Sequence, residues 1–268
     1  MSNQDNQPLV SVIMGIYNTA DVLPRAIESI ISQTYTNWEL IMCDDASSDN
    51  TYDVAMQFAD KYPNIKVVRN EKNSRLAYSL NQCLKIAEGE YVARMDADDI
   101  SLPERLEKQV EFLNNHPEYA VVGCGVINFD ENGDRNTLLA KECPTVLNMK
   151  KGVPYIHPSI MMRKEAYDTL DGYYVSKRTQ KGQDLDLWFR FYAAGFKGYN
   201  LQEPLLKYHT SLDDYKKKRK LSYAIGMMKT NFYGFRINHF PIHLYIWAIK
   251  PIISSIVPKK IMFNFHKK

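Results

Sequence analysis

The chain has 268 residues, 45% of them hydrophobic and 24% charged, an ordinary globular mix with room for one large α/β domain and an appendage. The net charge of +3 hides an asymmetry: residues 216–268 hold 12 of the 34 Lys/Arg and no Asp or Glu, which leaves 22 basic against 31 acidic residues, a net of −9, in the rest. A mildly acidic body with a strongly basic tail suits an anionic partner, lipid headgroups or nucleic acid.

Residues 1–8 are polar, with neither a basic run nor an apolar run, and read as a disordered lead rather than a signal peptide. Residues 9–14 are short, apolar and β-branched, as in a buried strand. A loop follows to Asp21, and Leu23, Ile27, Ile30 and Ile31 then recur at helical spacing behind Pro24. Strand, loop and helix repeat: 38–43, then Asp44 to Asn50, then a helix marked by Val54, Phe58, Ala59 and Tyr62 and stopped by Pro63. A third strand spans 65–69, with a helix through Leu76, Leu80, Leu84 and Ala87 that Gly89 closes. A fourth spans 90–94, with a helix from Pro103 through Leu106, Val110 and Leu113. Beyond 119 the pattern loosens: a long strand from Tyr119 to Phe129, a turn at Glu131 to Asp134, a short strand within Pro154 to Met162, and an amphipathic helix from Leu185 to Ala194.

Strict β-α alternation predicts a mostly parallel, right-handed, Rossmann-like sheet. Ligands then bind beyond the carboxyl ends of the strands. Two loops at those ends are acidic: Asp44-Asp45 and Asp96-Ala97-Asp98-Asp99. Carboxylates this close repel one another unless a cation or proton intervenes. A hard divalent cation takes one or two such groups together with substrate phosphates. Read alone, either loop also serves as a solvated helix cap, with Asp49 or Ser48 at the N-cap of the following helix. An aromatic such as Tyr17 in the first loop suits stacking on a base. The four cysteines form no C-x-x-C pair, which leaves no sequence signal for zinc or redox chemistry and suits reduced core residues.

Residues 10–18 (VSVIMGIYN), 44–51 (DDASSDNT) and 89–110 (GEYVARMDADDISLPERLEKQV) resemble, in this order, the family 2 glycosyltransferases with the GT-A fold. The resemblance covers about residues 9–209. It implies a single nucleotide-diphospho-sugar domain there, an α/β GT-A fold with a helical basic tail over 210–268. Carried over by position, Ile16 and Tyr17 contact the base with Asn18 in the same pocket, Asp45 recognises the base, Asp96 lies on the ribose and metal, and Asp98 ligates Mn²⁺ or Mg²⁺. The family's Asn-x-Gly-Leu-Ala segment is met by Asn73-Ser74-Arg75-Leu76-Ala77, with Arg75 where Gly is usual, either touching the donor phosphates or altering the loop. In the stretch 182–188, Asp184 matches the family's catalytic Asp, and Gln183 replaces the usual Glu. Asp184 is therefore the expected base. The plain alternative is a helix cap at Asp184, and Asp186 is a second candidate on the acceptor side. His157, in His157-Pro158-Ser159, matches an acceptor-side segment, and His209 closes the domain within reach of the metal or diphosphate. The Gln-x-x-Arg-Trp signature of processive synthases does not occur, since 183–190 read QDLDLWFR, which favours one sugar per event.

In the tail, 216–220 read KKKRK. Residues 240–257 are apolar but interrupted by His243, Lys250 and Pro251, too broken for a bilayer span. They read as an interfacial segment with Phe240, Tyr245 and Trp247 at headgroup level, the flanking cations drawn to anionic lipid on the cytoplasmic face. The alternative is that the tail packs on the domain or mediates dimerisation. No nucleic-acid motif accompanies the lysines. The whole reads as a metal-dependent, inverting transferase that uses a nucleotide-sugar, a UDP-sugar by family habit. Its acceptor is a glycan or polyprenyl-linked sugar of a capsule, O-antigen or exopolysaccharide. Against the enzyme runner-up, a sugar-nucleotide pyrophosphorylase, counts the loop GIYNTAD, which has one Gly and no basic residue where a Gly-rich basic phosphate loop is expected. A catalytically inactive nucleotide-sugar binder or membrane scaffold, suggested by Gln183, is the second reading.

Overall fold

The computed structural model describes residues 7–210 and 221–256; KKKRK at 216–220, residues 1–6 and residues 257–268 lie outside the described residues. The elements run β1 (Val10–Ile16), α1 (Leu23–Ile31), β2 (Trp38–Asp44), α2 (Thr51–Lys61), β3 (Ile65–Arg69), α3 (Leu76–Ile86), β4 (Tyr91–Arg94), β5 (Ile100–Ser101) and α4 (Arg105–Asn115). They continue as β6 (Val121–Asp130), β7 (Gly133–Leu138), β8 (Met161–Arg163), α5 (Lys164–Thr169), α6 (Gln183–Ala193), β9 (Gly198–His209), α7 (Leu221–Ile237) and α8 (Lys250–Ile256). Gln7 and Pro8 are held at the edge, their carbonyls accepting from Asn37 and Tyr35.

The described residues form a nine-stranded sheet in the order β3-β2-β1-β4-β8-β6-β9-β5, with β7 hairpinned onto β6. β1, β2, β3 and β4 are parallel, as alternation predicts. Beyond β4 the sheet is mixed: β8 runs antiparallel to β4 and to β6, while β9 runs parallel to β6. The short strand expected within 154–162 lies later, at Met161–Arg163. His157–Ser159 is a turn of 3-10 helix instead, because Pro158 has no N–H to give a ladder. The seven residues of β1 and of β2 are almost all buried, as strands covered by helices on both faces must be. Cys43, Cys83 and Cys124 are buried, unpaired core residues, and Cys143 is exposed and unpaired.

Register sets the site. Ile16 pairs with Asp44 and Ile13 with Arg94, so the loops after β1, β2 and β4 leave from one edge. Ile100 pairs with Lys207, which draws the end of β9 back over the loop after β4.

The tail does not stand apart from the domain. α7 lies on α6 and on the 3-10 turn Lys177–Thr179 through Gly226, Thr230 and Gly234, spaced four residues apart on one helix face. A Cβ at Gly226 would come within 2.8 Å of the Arg178 carbonyl, and one at Gly234 within 2.1 Å of the Phe189 ring. This contact corrects the headgroup placement of Phe240 and Tyr245. Phe240 stacks at 4.5 Å on Phe235 of α7 and Tyr245 meets the same ring edge-on at 5.7 Å, while Phe235 meets Phe189 of α6 edge-on at 5.8 Å, so both rings pack onto the docked helix. Trp247 alone of the three is exposed, while Tyr245 is half-buried and Phe240 buried. No helix among the described residues is long and apolar enough to cross a membrane.

Candidate active site

The chemistry starts where β4 ends. Arg94, almost fully buried, forks onto Asp96, Nη2 to Oδ1 at 2.5 Å and Nη1 to Oδ2 at 3.0 Å. Such bidentate pairs are the strong, orienting kind. Asp98 meets His209, Oδ2 to Nδ1 at 3.3 Å, and Asp99 accepts the His209 backbone N–H at 2.9 Å. The two residues expected to hold metal, 111 positions apart, are thus brought side by side by β5 and β9. Burial and the Asp96 carboxylate push the Asp98 carboxyl above the usual carboxylate range, while His209 pulls it down. Burial, Asp96 and Asp98 push Asp99 up further.

The Asp98 oxygen fits Mn²⁺ or Mg²⁺, and the His209 nitrogen beside it, a softer ligand, favours Mn²⁺ of the two. The crowding that raises both carboxyls is the electrostatic signature of a place that accepts a cation. Among the described residues no three His, Cys, Asp or Glu converge as a ready-made cage. That suits an ion completed by substrate phosphates.

The two preceding loops are cross-braced. Asn18, at φ 50°, accepts the Ser48 N–H at 2.9 Å, and its own N–H donates to Ser47 Oγ. Asn18 therefore shapes the pocket by joining the loops. Tyr17 is 46% exposed and offers a ring at the lip. Ile16 needs correcting as a base contact: its side chain is 1% exposed in the core, and its carbonyl accepts the Asp45 N–H. Asp44 is buried against Arg69 at 3.0 Å. Asp45 accepts from Asn70 Nδ2 at 2.8 Å and from the Ser74 and Arg75 N–H groups at 2.7 Å each. Three of its roughly four acceptor positions are taken, so its main work is to hold the loop before α3, with one left for a base.

That grip explains Arg75. Its backbone sits at φ 74°, ψ 164°, a conformation essentially reserved for glycine that costs about 1–3 kcal/mol. Arg75→Gly is expected to raise unfolding stability by about 1 kcal/mol, whereas Arg75→Ala, equally strained, gains nothing. Urea midpoints of the two variants check this, and equal midpoints would mean the loop carries no strain.

Asp184 lies in the first turn of α6, half-buried, with Oδ1 accepting the Leu185 N–H at 2.8 Å. Burial pushes its carboxyl up; the Leu185 N–H and the Arg94 guanidinium pull it down, and Asp96 adds to the push. The base candidate and the acidic loop therefore feel each other across one crevice. On its other side Asp184 lines a cavity of about 510 Å³ between α6, α7, α8 and residues 149–153.

Asp186 is corrected. It is fully buried on the opposite side of the helix, its oxygens 2.7 Å from Arg178 and 2.8 Å from Arg190, and so it anchors α6. His157 is corrected as well: it lies beneath the acceptor face, 6% exposed, with Nε2 2.9 Å from the Tyr173 hydroxyl and its ring edge-on to Trp188. Burial and Arg94 hold it neutral, well below its usual range.

Arg94 and Arg105 are the residues that sequence reasoning missed. Arg105, fully buried, donates to the carbonyls of Arg94, Pro158 and Ile160, tying α4 to both strands below the site. The signal was present: Arg94 closes an otherwise apolar strand, and Arg105 falls in phase with buried Leu106, Gln109 and Val110.

Comparison with known proteins gives the family and the fold. The family model described as glycosyl transferase family 2 matches residues 11–171. A relative named as a glycosyltransferase, EpsE of Bacillus subtilis (strain 168), is 48% identical over 262 residues, covering 97% of this chain and 94% of its own. The UDP-Glc:alpha-D-GlcNAc-diphosphoundecaprenol beta-1,3-glucosyltransferase WfaP of Escherichia coli is 27% identical over 251 residues, covering 92% of this chain and 95% of its own. Among solved structures, the mannosyltransferase PcManGT from Pyrobaculum calidifontis in complex with GDP-Man and Mn²⁺ superposes with a TM-score of 0.67 at 18% identity, covering 94% of this chain and 74% of its own.

Proposed function

The chain belongs to glycosyl transferase family 2, and on that premise we propose that it transfers one sugar, with inversion, from a UDP-sugar to a glycan or lipid-linked acceptor of a bacterial surface polysaccharide. The observation that carries this reading is the position of Asp184, shared between the acidic crevice and the cavity beside α7. A base must reach acceptor and reaction centre together, and among the described residues Asp184 is the one carboxylate that lines the cavity.

In this reading the donor's base rests on Tyr17 and its diphosphate lies over the loop Asp96 to Asp99. Asp98 and His209 would hold Mn²⁺ or Mg²⁺, which supplies positive charge to the departing diphosphate. Asp96 is oriented by Arg94 toward the ribose. The acceptor hydroxyl gives its proton to Asp184, and the Leu185 N–H steadies the other end of the carboxylate. The double displacement of a retaining enzyme is not needed, because one base and one leaving group suffice.

The tail supports a peripheral position on the inner face of the membrane. Ile242 and Ile246 are 82% and 67% exposed beside Trp247, an apolar ridge in a segment rich in Lys and Arg. That combination binds anionic interfaces without spanning them.

Calorimetric titration of UDP-, GDP- and dTDP-sugars with Mn²⁺ or EDTA tests the proposal. One donor is expected to bind at least tenfold tighter with metal and to be hydrolysed slowly. No binding of any nucleotide-sugar, with or without anionic vesicles, would sink the transferase reading.

A further inference from the structure

We propose that the cavity beside Asp184 is a lysine-gripped site for the diphosphate and first isoprenoid units of a lipid-linked acceptor. The inference rests on the transferase reading and gives its acceptor a chemical class. The cavity, about 510 Å³, is lined by Lys150, Lys151, Lys181 and Lys250. Among the described residues none of the four ammonium groups has a carboxylate at ion-pair distance, and Lys250 Nζ donates only to the Lys151 carbonyl, at 3.1 Å. Four like charges around one hollow repel one another and call for a polyanion. Lysine meets phosphate as a compact point charge, without the fixed geometry that an arginine fork would impose.

Much of the rest of the wall is apolar, with Asn231, Ser254 and Ser255 as polar exceptions beside Asp184. Met227 and Trp247 present apolar surface between the lysines. A neutral glycan needs neither cations nor a greasy wall, and a free phosphate needs no greasy wall. An amphiphile with a diphosphate head needs both. The segment that carries Trp247 and Lys250 also carries the exposed Ile246 and Ile253, so a chain leaving the cavity meets an apolar surface. The sugar borne by that diphosphate then lies toward Asp184, the one carboxylate in the lining.

Farnesyl diphosphate is the probe, titrated into the full chain in EDTA so that no metal serves the donor side, with the emission of Trp247 as signal and Trp247→Phe as its control. Farnesyl diphosphate is expected to bind at least tenfold tighter than farnesol or inorganic pyrophosphate. The pair Lys150→Ser with Lys250→Ser is expected to weaken it by about tenfold or more, as loss of charge-assisted contacts does. The same pair should hydrolyse donor with Mn²⁺ at the wild-type rate, which also shows that it is folded. If the pair does not fold, exposed Lys250→Glu alone gives the same reading. Equal binding of farnesyl diphosphate to wild type and variant overturns the site. Pyrophosphate binding as tightly as farnesyl diphosphate reduces it to a plain anion site, and farnesol binding as tightly reduces it to a plain apolar one; either overturns the proposal. Absence of donor hydrolysis in the wild type would fail the transferase reading separately, since the farnesyl diphosphate titration requires no turnover.

Discussion

Asp184→Asn is expected to lower the transfer rate by about 10³-fold while leaving donor affinity within about twofold. The substitution keeps shape and keeps an oxygen to accept the Leu185 N–H, so α6 should not shift. What disappears is the lone pair that takes the acceptor proton. Single-turnover rates and calorimetry on the same preparation separate the two effects. Loss of donor binding together with rate would demote Asp184 to a structural cap, the plain alternative for a carboxylate at a helix start. The pH dependence gives a second check. A base works ionised, and burial raises the folded-state pKa of this one. Activity should therefore be full at neutral pH and fall as pH drops through a value above the ordinary carboxylate range. In Asp184→Asn that acid limb should vanish from the residual rate.

How much of this was legible in the chain differs by region for physical reasons. β1 to β4 and their helices are consecutive β-α units, whose apolar spacing is local and whose parallel order follows from connection rules. The acidic loops were legible because they follow buried strands directly. The second half was not. β9 lies parallel to β6 some 70 residues away, with register shifts at Gly125 that no local pattern announces. The pairing of Asp98 with His209 depends on that strand, so sequence supplied two candidates but not their contact. Asp184 and Asp186 look alike two residues apart; only the phase of α6, which turns Asp186 toward Arg178 and Arg190, tells them apart. Phe240 and Tyr245 misled for a similar reason: aromatic residues near cations suit a headgroup region, but they suit packing on Phe235 of a docked helix equally well.

Arg94→Met is expected to cost about 3 kcal/mol of stability and, separately, to move the acid limb of the transfer rate to higher pH. The first effect follows from position. Arg94 is nearly fully buried, and its removal leaves Asp96 beside Asp98 and Asp99 with its only guanidinium gone. Breaking such a pair costs more than the pair contributes, because the surviving charge stays where water is scarce. The second effect belongs to catalysis. Arg94 pulls the Asp184 carboxyl down, so without it only backbone N–H groups, that of Leu185 first, still oppose burial and Asp96, and the pKa rises. The proton is then harder to lose, and the ionised base appears only at higher pH. A purely structural role would lower Tm and leave the limb where it was. Arg94→Lys divides the contributions further. It restores a positive charge, so the limb should return toward the wild-type position. It cannot fork onto both oxygens of Asp96, so donor affinity should be about tenfold weaker than in the wild type. Wild-type affinity in Arg94→Lys would mean that charge alone orients Asp96. An unmoved limb in Arg94→Met would mean that Arg94 and Asp184 do not share the crevice, and the assignment of Asp184 as the base would lose its electrostatic support.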